Sequence, residues 1–99
     1  MTGNISINYH IIGQMKKIVI YTGIRCAHCD WAKALLNEKK VDFTEYNISI
    51  NPAKREEMLK KSNGSITVPQ IFVGDYHVGG NRELQALERQ GKLDNILKN

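Results

Sequence analysis

The chain contains two cysteines, Cys26 and Cys29, set three apart in the stretch RCAHCDWAKALL. A pair at i and i+3 shares one helical face, with β-carbons about 5–6 Å apart, whereas a disulfide wants about 3.5–4.5 Å. A loose first helical turn can tighten by that much, so the pair can cycle between dithiol and disulfide. Closing so short a loop removes almost no freedom from the unfolded chain, which makes chemistry a better motive than cross-linking. At a helix start, unpaired amides and the helix dipole favour an anion, so Cys26 should be a thiolate near neutral pH. Arg25 adds a fixed positive charge next door. Cys29, a turn further in, should be more buried and stay a thiol until it resolves a mixed disulfide.

His28 lies in the same turn, where its ring can reach toward the Cys26 sulfur or stay in water. When cationic it would stabilise the thiolate and make the disulfide a stronger oxidant. The competing reading is a zinc knuckle built from Cys26, His28 and Cys29. Only His10 and His77 could add a nitrogen ligand and no second cysteine pair exists, whereas structural zinc wants four closed ligands.

The flanking elements must hold this pair. KIVIYT is a short, β-branched, nearly continuous apolar run, as expected of a buried central strand. CAHCDWAKALLNEKK follows as a helix, with Trp31, Ala34 and Leu35 on one face, Cys29, Ala32 and Leu36 adjoining it, and a basic last turn. VDFTEYNI alternates as a second strand, and a strand–helix–strand unit implies a parallel pair. Asn51 then caps a helix with Pro52 at its first position, and NGS ends it. VPQIFVGDYHVGG reads as an antiparallel hairpin around a GD turn. NRELQALERQG is a third helix with Leu84 and Leu87 inward and Gly91 as its stop, and KLDNILKN a last short one with Leu93, Ile96 and Leu97 on one face. The fold class is therefore α/β, a four-stranded mixed sheet (βαβ, then ββα) flanked by helices.

At 99 residues one domain is expected. The net charge of +4 suits a small anionic substrate. The basic residues are interleaved with acids, as in KREEMLKK, and no basic run carries aromatics, so nucleic acid is not an expected partner. No apolar run approaches a bilayer span, no membrane partner is expected, and no secretory signal is visible, so a cytoplasmic setting is the default. Residues 1–14, rich in Asn, Ser and Gly, read as an extension, disordered or vector-derived, with Met15 a plausible natural start. The rival reading is an extra strand at ISINYHII.

Residues 16–99 resemble a dithiol glutaredoxin of the bacterial type. IYTGIRCAHCDWAKALL is similar to that family's strand, active-site loop and first helix. KREEMLKKSNGSITVPQIFVG is similar to its second helix and T-V-P segment. HVGGNRELQAL resembles the glycine pair that opens its third helix, and GKLDNILK its terminal helix. The resemblance implies a thioredoxin fold over 15–99, glutathione as cosubstrate and no tightly bound cofactor. It implies Cys26 as nucleophile, Cys29 as resolving thiol, and a cis Pro69 facing them. Thr67 and Val68 would pair with the glutathione backbone like an added strand. Gly79 and Gly80 would let that peptide approach the helix start at Asn81 and Arg82, which would bind a carboxylate. Arg55 sits where relatives often contact glutathione, and Arg25, Cys26, His28 and Pro69 complete the expected binding and tuning set.

Three positions depart from the family pattern. Gly23 stands where relatives usually carry Lys, Arg82 (with Glu83 beside it) where they often carry Asp, and Ala27-His28 where Pro-Tyr is common. The implied activity is glutathione-dependent reduction of protein disulfides and glutathionylated proteins by a monomer. Two alternatives stay open at this level. One is a glutathione-bridged dimer carrying a [2Fe–2S] cluster on Cys26, which the non-proline Ala27 would favour. The other is a redoxin reduced directly by a flavoprotein reductase.

Overall fold

A computed structural model of the chain describes residues 16–98. Its centre is strand β1 (Ile18–Thr22), buried at every position. Side chains alternate across a strand. Ile18 and Ile20 accordingly enter one core, and Val19 and Tyr21 enter another on the opposite face. A strand covered on both sides must be apolar throughout, which is why KIVIYT shows no polar alternation.

Helix α1 (Ala27–Glu38) carries the chain over to β2 (Thr44–Asn47), which lies parallel to β1. Helix α2 (Pro52–Lys61) follows, its start capped by the Asn51 side chain accepting from Lys54 N at 3.1 Å. Strands β3 (Gln70–Val73) and β4 (Tyr76–Gly79) form the antiparallel hairpin, and β3 also runs antiparallel to β1. Gly74, at φ +59°, takes the left-handed position that the two-residue turn requires. Helices α3 (Asn81–Arg89) and α4 (Leu93–Lys98) complete the chain. The sheet is four-stranded and mixed, as expected from the βαβ–ββα pattern, and its order is β2-β1-β3-β4.

The larger core joins Ile18, Ile20, Ile71 and Val73 of the sheet to Ala32, Leu35 and Leu36 of α1, Leu84 of α3, and Leu93 and Leu97 of α4. The smaller one packs Val19, Tyr21 and Phe72 on Met58 of α2. Two expectations for α1 are corrected. Its buried stripe is Cys29, Ala32, Leu35 and Leu36, whereas Trp31 is 56% exposed and Ala34 also faces outward. Both stripes have helical spacing, and docking on the sheet selects between them. The expected basic last turn is also missing, because α1 stops at Glu38. Lys39 is its C-cap, and its ammonium pairs with Glu88 of α3 at 2.7 Å and Asp94 of α4 at 2.8 Å. Its charge therefore ties three helices together. The possible strand at ISINYHII and the start at Met15 lie outside the described residues.

Under the smaller core, the Tyr21 hydroxyl donates to the Glu57 carboxylate, which also accepts from Lys54 Nζ at 3.0 Å. Burial first, then the Glu57 hydrogen bond, push the Tyr21 hydroxyl far above its ordinary range. The Tyr21 and then the Lys54 hydrogen bonds hold the Glu57 carboxyl below its ordinary value. A carboxyl that titrates lower when folded contributes stability that is complete above its unfolded value, about 4.3, and is lost as pH falls through the folded value. Glu57 is 38% exposed, so solvent screening limits the contribution of the Tyr21 bond to about 1 kcal/mol. Tyr21→Phe should lower stability by about that amount at pH 7 and weaken its dependence on pH below 4.5. Urea unfolding of both proteins between pH 3 and pH 7 measures it; parallel curves would show that the bond contributes nothing.

Candidate active site

The redox pair opens α1 at the end of β1. Cys26 is the N-cap, with extended backbone angles, and its Sγ accepts the N–H of Cys29 at 3.0 Å. The sulfur thus occupies the place of a capping oxygen, where a negative charge is most favoured. The two cysteines form a disulfide with α-carbons 5.1 Å apart. Cys26 is half-buried and Cys29 is 2% exposed, the order expected from the sequence. Arg25 precedes them in the left-handed region at φ +51°, with its side chain exposed.

The loop before the cysteines is fastened from below. Ile24 N donates to Ser49 Oγ at 3.1 Å. Gly23 lies so close to the neighbouring segment that a β-carbon there would sit 3.2 Å from Val68 Cγ2. A lysine at this position would need the Val68 side chain to give by a few tenths of an ångström, a tight but not forbidding fit.

The Val68–Pro69 bond is cis and Pro69 is buried. The Val68 carbonyl oxygen lies 3.8 Å from Cys26 Sγ. Beside this segment runs a groove of about 530 Å³. His28, Thr67, Val68, Pro69, Gly80, Asn81 and Arg82 line it together, although they come from three separate parts of the chain. Of the other residues expected in the site, Arg25, Cys26 and Arg55 are not among its lining; Arg55 is exposed on α2.

Four lining residues were not anticipated as members of the site: Ser65, Gln70, His77 and Glu83. The Glu83 carboxylate accepts from Gly80 N at 2.8 Å, a one-sided cap at the start of α3, since glycine has no side chain to return the bond. That cap also explains Gly79, which has φ +109° and whose added β-carbon would meet the Glu83 side chain at 3.1 Å. The spacing from Gly80 to Glu83 is a capping signal legible in the sequence. The Gln70–His77 contact has no local signature.

His28 takes a third course beyond the two expected of it. Its ring is exposed, but it meets Trp31 edge-on at 5.1 Å between centroids, and its Nδ1 lies 3.2 Å from Asn81 Nδ2. Asn81 Oδ1 in turn accepts from Gln85 Nε2 at 3.1 Å. The second of the two residues between the cysteines is therefore tied to the helix that bounds the groove. Among the described residues, no group of three or more His, Cys, Asp or Glu side chains could hold a metal ion, and no helix is long and apolar enough to cross a membrane.

A glutaredoxin family model matches residues 18–78, which span the cysteine pair, the cis-proline segment and three of the four strands in full. The chain is 51% identical over 84 residues to Glutaredoxin 3 of Escherichia coli strain K12, covering 85% of this chain and all of that one. The chain belongs to the glutaredoxin family. Among solved structures, glutaredoxin from Brucella melitensis superposes with a TM-score of 0.73 at 48% identity, covering 87% of this chain and 92% of that one. A buckwheat glutaredoxin–glutathione complex has the same TM-score at 19% identity, covering 98% of this chain and 93% of that one, and shares the fold. As a glutaredoxin, the protein is a glutathione-dependent thiol–disulfide oxidoreductase with a Cys-x-x-Cys pair.

The burial difference between the cysteines has a direct readout in this glutaredoxin. After reduction, iodoacetamide should label Cys26 first, with a pH midpoint below the ordinary thiol value of about 8.5, and leave Cys29 unmodified while the protein is folded. Mass spectrometry of the labelled peptides resolves the two sites; equal labelling would contradict the shielding of Cys29.

Proposed function

We propose that Cys26 is the attacking thiolate, Cys29 the resolving thiol, and the groove beside them the glutathione site. The observation that carries this reading is the adjacency of a half-exposed, N-capping Cys26 to the cis Val68–Pro69 segment, which also forms a wall of the groove. A groove of about 530 Å³ falls within the usual range for small-ligand sites and suits a tripeptide. The glutathione complex of the buckwheat protein, which shares the fold, lends support to a ligand of this kind.

In the proposed cycle the Cys26 thiolate attacks one sulfur of a protein disulfide, forming a mixed disulfide and releasing the other sulfur as a thiolate, which takes up a proton. Cys29 gives up its proton and attacks the Cys26 sulfur, so the second substrate thiol leaves and the enzyme disulfide remains. One glutathione thiolate opens that disulfide at Cys26, and a second leaves with the first as glutathione disulfide. Two glutathiones thus supply the two electrons. With a glutathionylated protein, Cys26 attacks the glutathione sulfur and the protein thiol departs, so Cys29 is not needed.

The binding roles follow the groove. The Thr67–Val68 backbone pairs with the extended ligand, and the α3 start at Asn81 and Arg82 receives a carboxylate. Arg25 and Arg55, outside the groove lining, add positive charge that attracts the anionic tripeptide. Glu83 supplies a carboxylate at the groove edge where Arg82 has replaced the acid common in relatives. We also propose that residues 15–99 are the working unit, that it acts as a monomer in the cytoplasm, and that its protein partners are disulfide-containing or glutathionylated.

Cys26→Ser should abolish turnover of every disulfide. Cys29→Ser should keep turnover of a glutathionylated peptide and lose reduction of a protein disulfide. A glutathione-coupled assay with both substrates tests the pair; a Cys29→Ser enzyme inactive on the glutathionylated peptide would reverse the assignment. In the same assay Arg82→Asp should lower the glutathione KM by up to about fivefold, since an exposed ionic contact is worth about 0.2–1 kcal/mol. A KM that rises would place the ligand's ammonium elsewhere.

A further inference from the structure

The floor of the groove holds a buried amide whose role the redox cycle does not explain. Gln70 opens β3 immediately after the cis-proline and is 4% exposed. Its Nε2 donates to the Thr67 carbonyl at 3.0 Å and to Thr67 Oγ1 at 3.2 Å. Its Oε1 lies 2.7 Å from His77 Nε2. A backbone carbonyl can only accept, so the end of the Gln70 amide facing Thr67 must be its NH2. The oxygen then faces His77, and His77 must carry a proton on Nε2. The imidazole is held flat against Phe72, at 4.5 Å between centroids and 14° between planes, on a residue itself 3% exposed. The contacts thus form a directed chain from the buried Phe72 through His77 and Gln70 to Thr67.

We infer that His77 and Gln70 are positioning residues for glutathione: the imidazole N–H orients the buried amide, and the amide sets the Thr67–Val68 main chain against which the tripeptide lies. This inference rests on the groove being the glutathione site. Residues 67 and 68 are not held by the regular ladder, since β3 begins only at Gln70. Two hydrogen bonds from one side chain therefore take over what strand pairing does elsewhere. With its carbonyl directed at Gln70, Thr67 leaves the next peptide unit, Val68, as the one that faces both Cys26 and the groove. Loss of the His77 donor leaves the Gln70 oxygen buried without a partner. The amide then turns to find another, and Thr67 loses its restraint. None of the hydrogen bonds in this chain is made to Cys26 or to its cap from Cys29 N, so the larger effect falls on binding and the smaller on the chemical step.

The test compares His77→Phe, which keeps a ring on Phe72 and has no N–H, with His77→Gln, which restores a donor of similar reach. Glutathione KM should rise about fivefold in His77→Phe, the equivalent of one net hydrogen bond, with kcat at saturating glutathione within twofold of wild type. His77→Gln should return KM to within twofold. The Gln70 side-chain amide signals in a 15N–1H spectrum should move in His77→Phe and return toward the wild-type positions in His77→Gln. A role in stability alone would lower the melting temperature and leave KM unchanged. A glutathione KM within twofold of wild type in His77→Phe, or a rise that His77→Gln does not reverse, overturns the inference while the groove reading stands. A wild-type protein whose turnover does not saturate with glutathione overturns the groove reading and this inference together.

Discussion

Burial of Cys29 at the first inward position of α1 joins packing to electrostatics. The residue begins the stripe that continues through Ala32 and Leu36 onto the sheet, so hydrophobic burial fixes where the helix starts relative to β1. Its amide donates to Cys26 Sγ at 3.0 Å, so the same placement puts the outer sulfur at the positive end of the helix. The packed residue and the capping residue cannot be moved independently. This is why a spacing of three, with one cysteine inside and one at the boundary, produces two thiols of different character.

The groove depends on a second type of constraint. Its walls are loop backbone, which lacks the continuous hydrogen-bond ladder of a strand. Side chains supply the missing restraint at three places: Gln70 on Thr67, Glu83 on Gly80, and Asn81 on His28. The Gln70 contact lies at the edge of an apolar core, where low solvent access makes a hydrogen bond count for more, whereas the Glu83 contact is exposed and the Asn81 contact joins a buried amide to an exposed ring. The Asn81 contact also bridges the two halves of the site, since His28 lies between the cysteines and Asn81 begins α3.

Charge is distributed so that the strongest pairs lie away from this region. Lys39 joins Glu88 and Asp94 behind the larger core, with both acids held at the ends of different helices. Glu45 shows the balance at the sheet edge: burial pushes its carboxyl up, but hydrogen bonds from Thr22 and Lys33 outweigh that and hold it below its ordinary value. Such pairs reinforce contacts already made by packing. Near the cysteines, Arg25 and Arg82 are exposed, with the Glu83 carboxylate beside Arg82 at the groove edge.

Local rules sufficed for much of this molecule. A continuous apolar run marked β1 because both faces of that strand are covered. Asn51-Pro52 and the Gly74-Asp75 pair marked a helix start and a hairpin turn because caps and turns are set within a few residues. The Cys26-Cys29 spacing and its place after a strand identified the redox pair by the same local logic. Other features are decided by contacts between distant segments. Trp31 and Ala34 share the helical period of the true stripe, and only docking on the sheet turned them outward. His28 is anchored by Asn81, 53 residues away, and Gln70 by His77 across a hairpin. A side chain's partner is set by which backbones the fold brings together. The reactive pair and the elements that carry it follow from residues close together in the chain, whereas the way the surrounding side chains are held follows from packing between segments far apart in it.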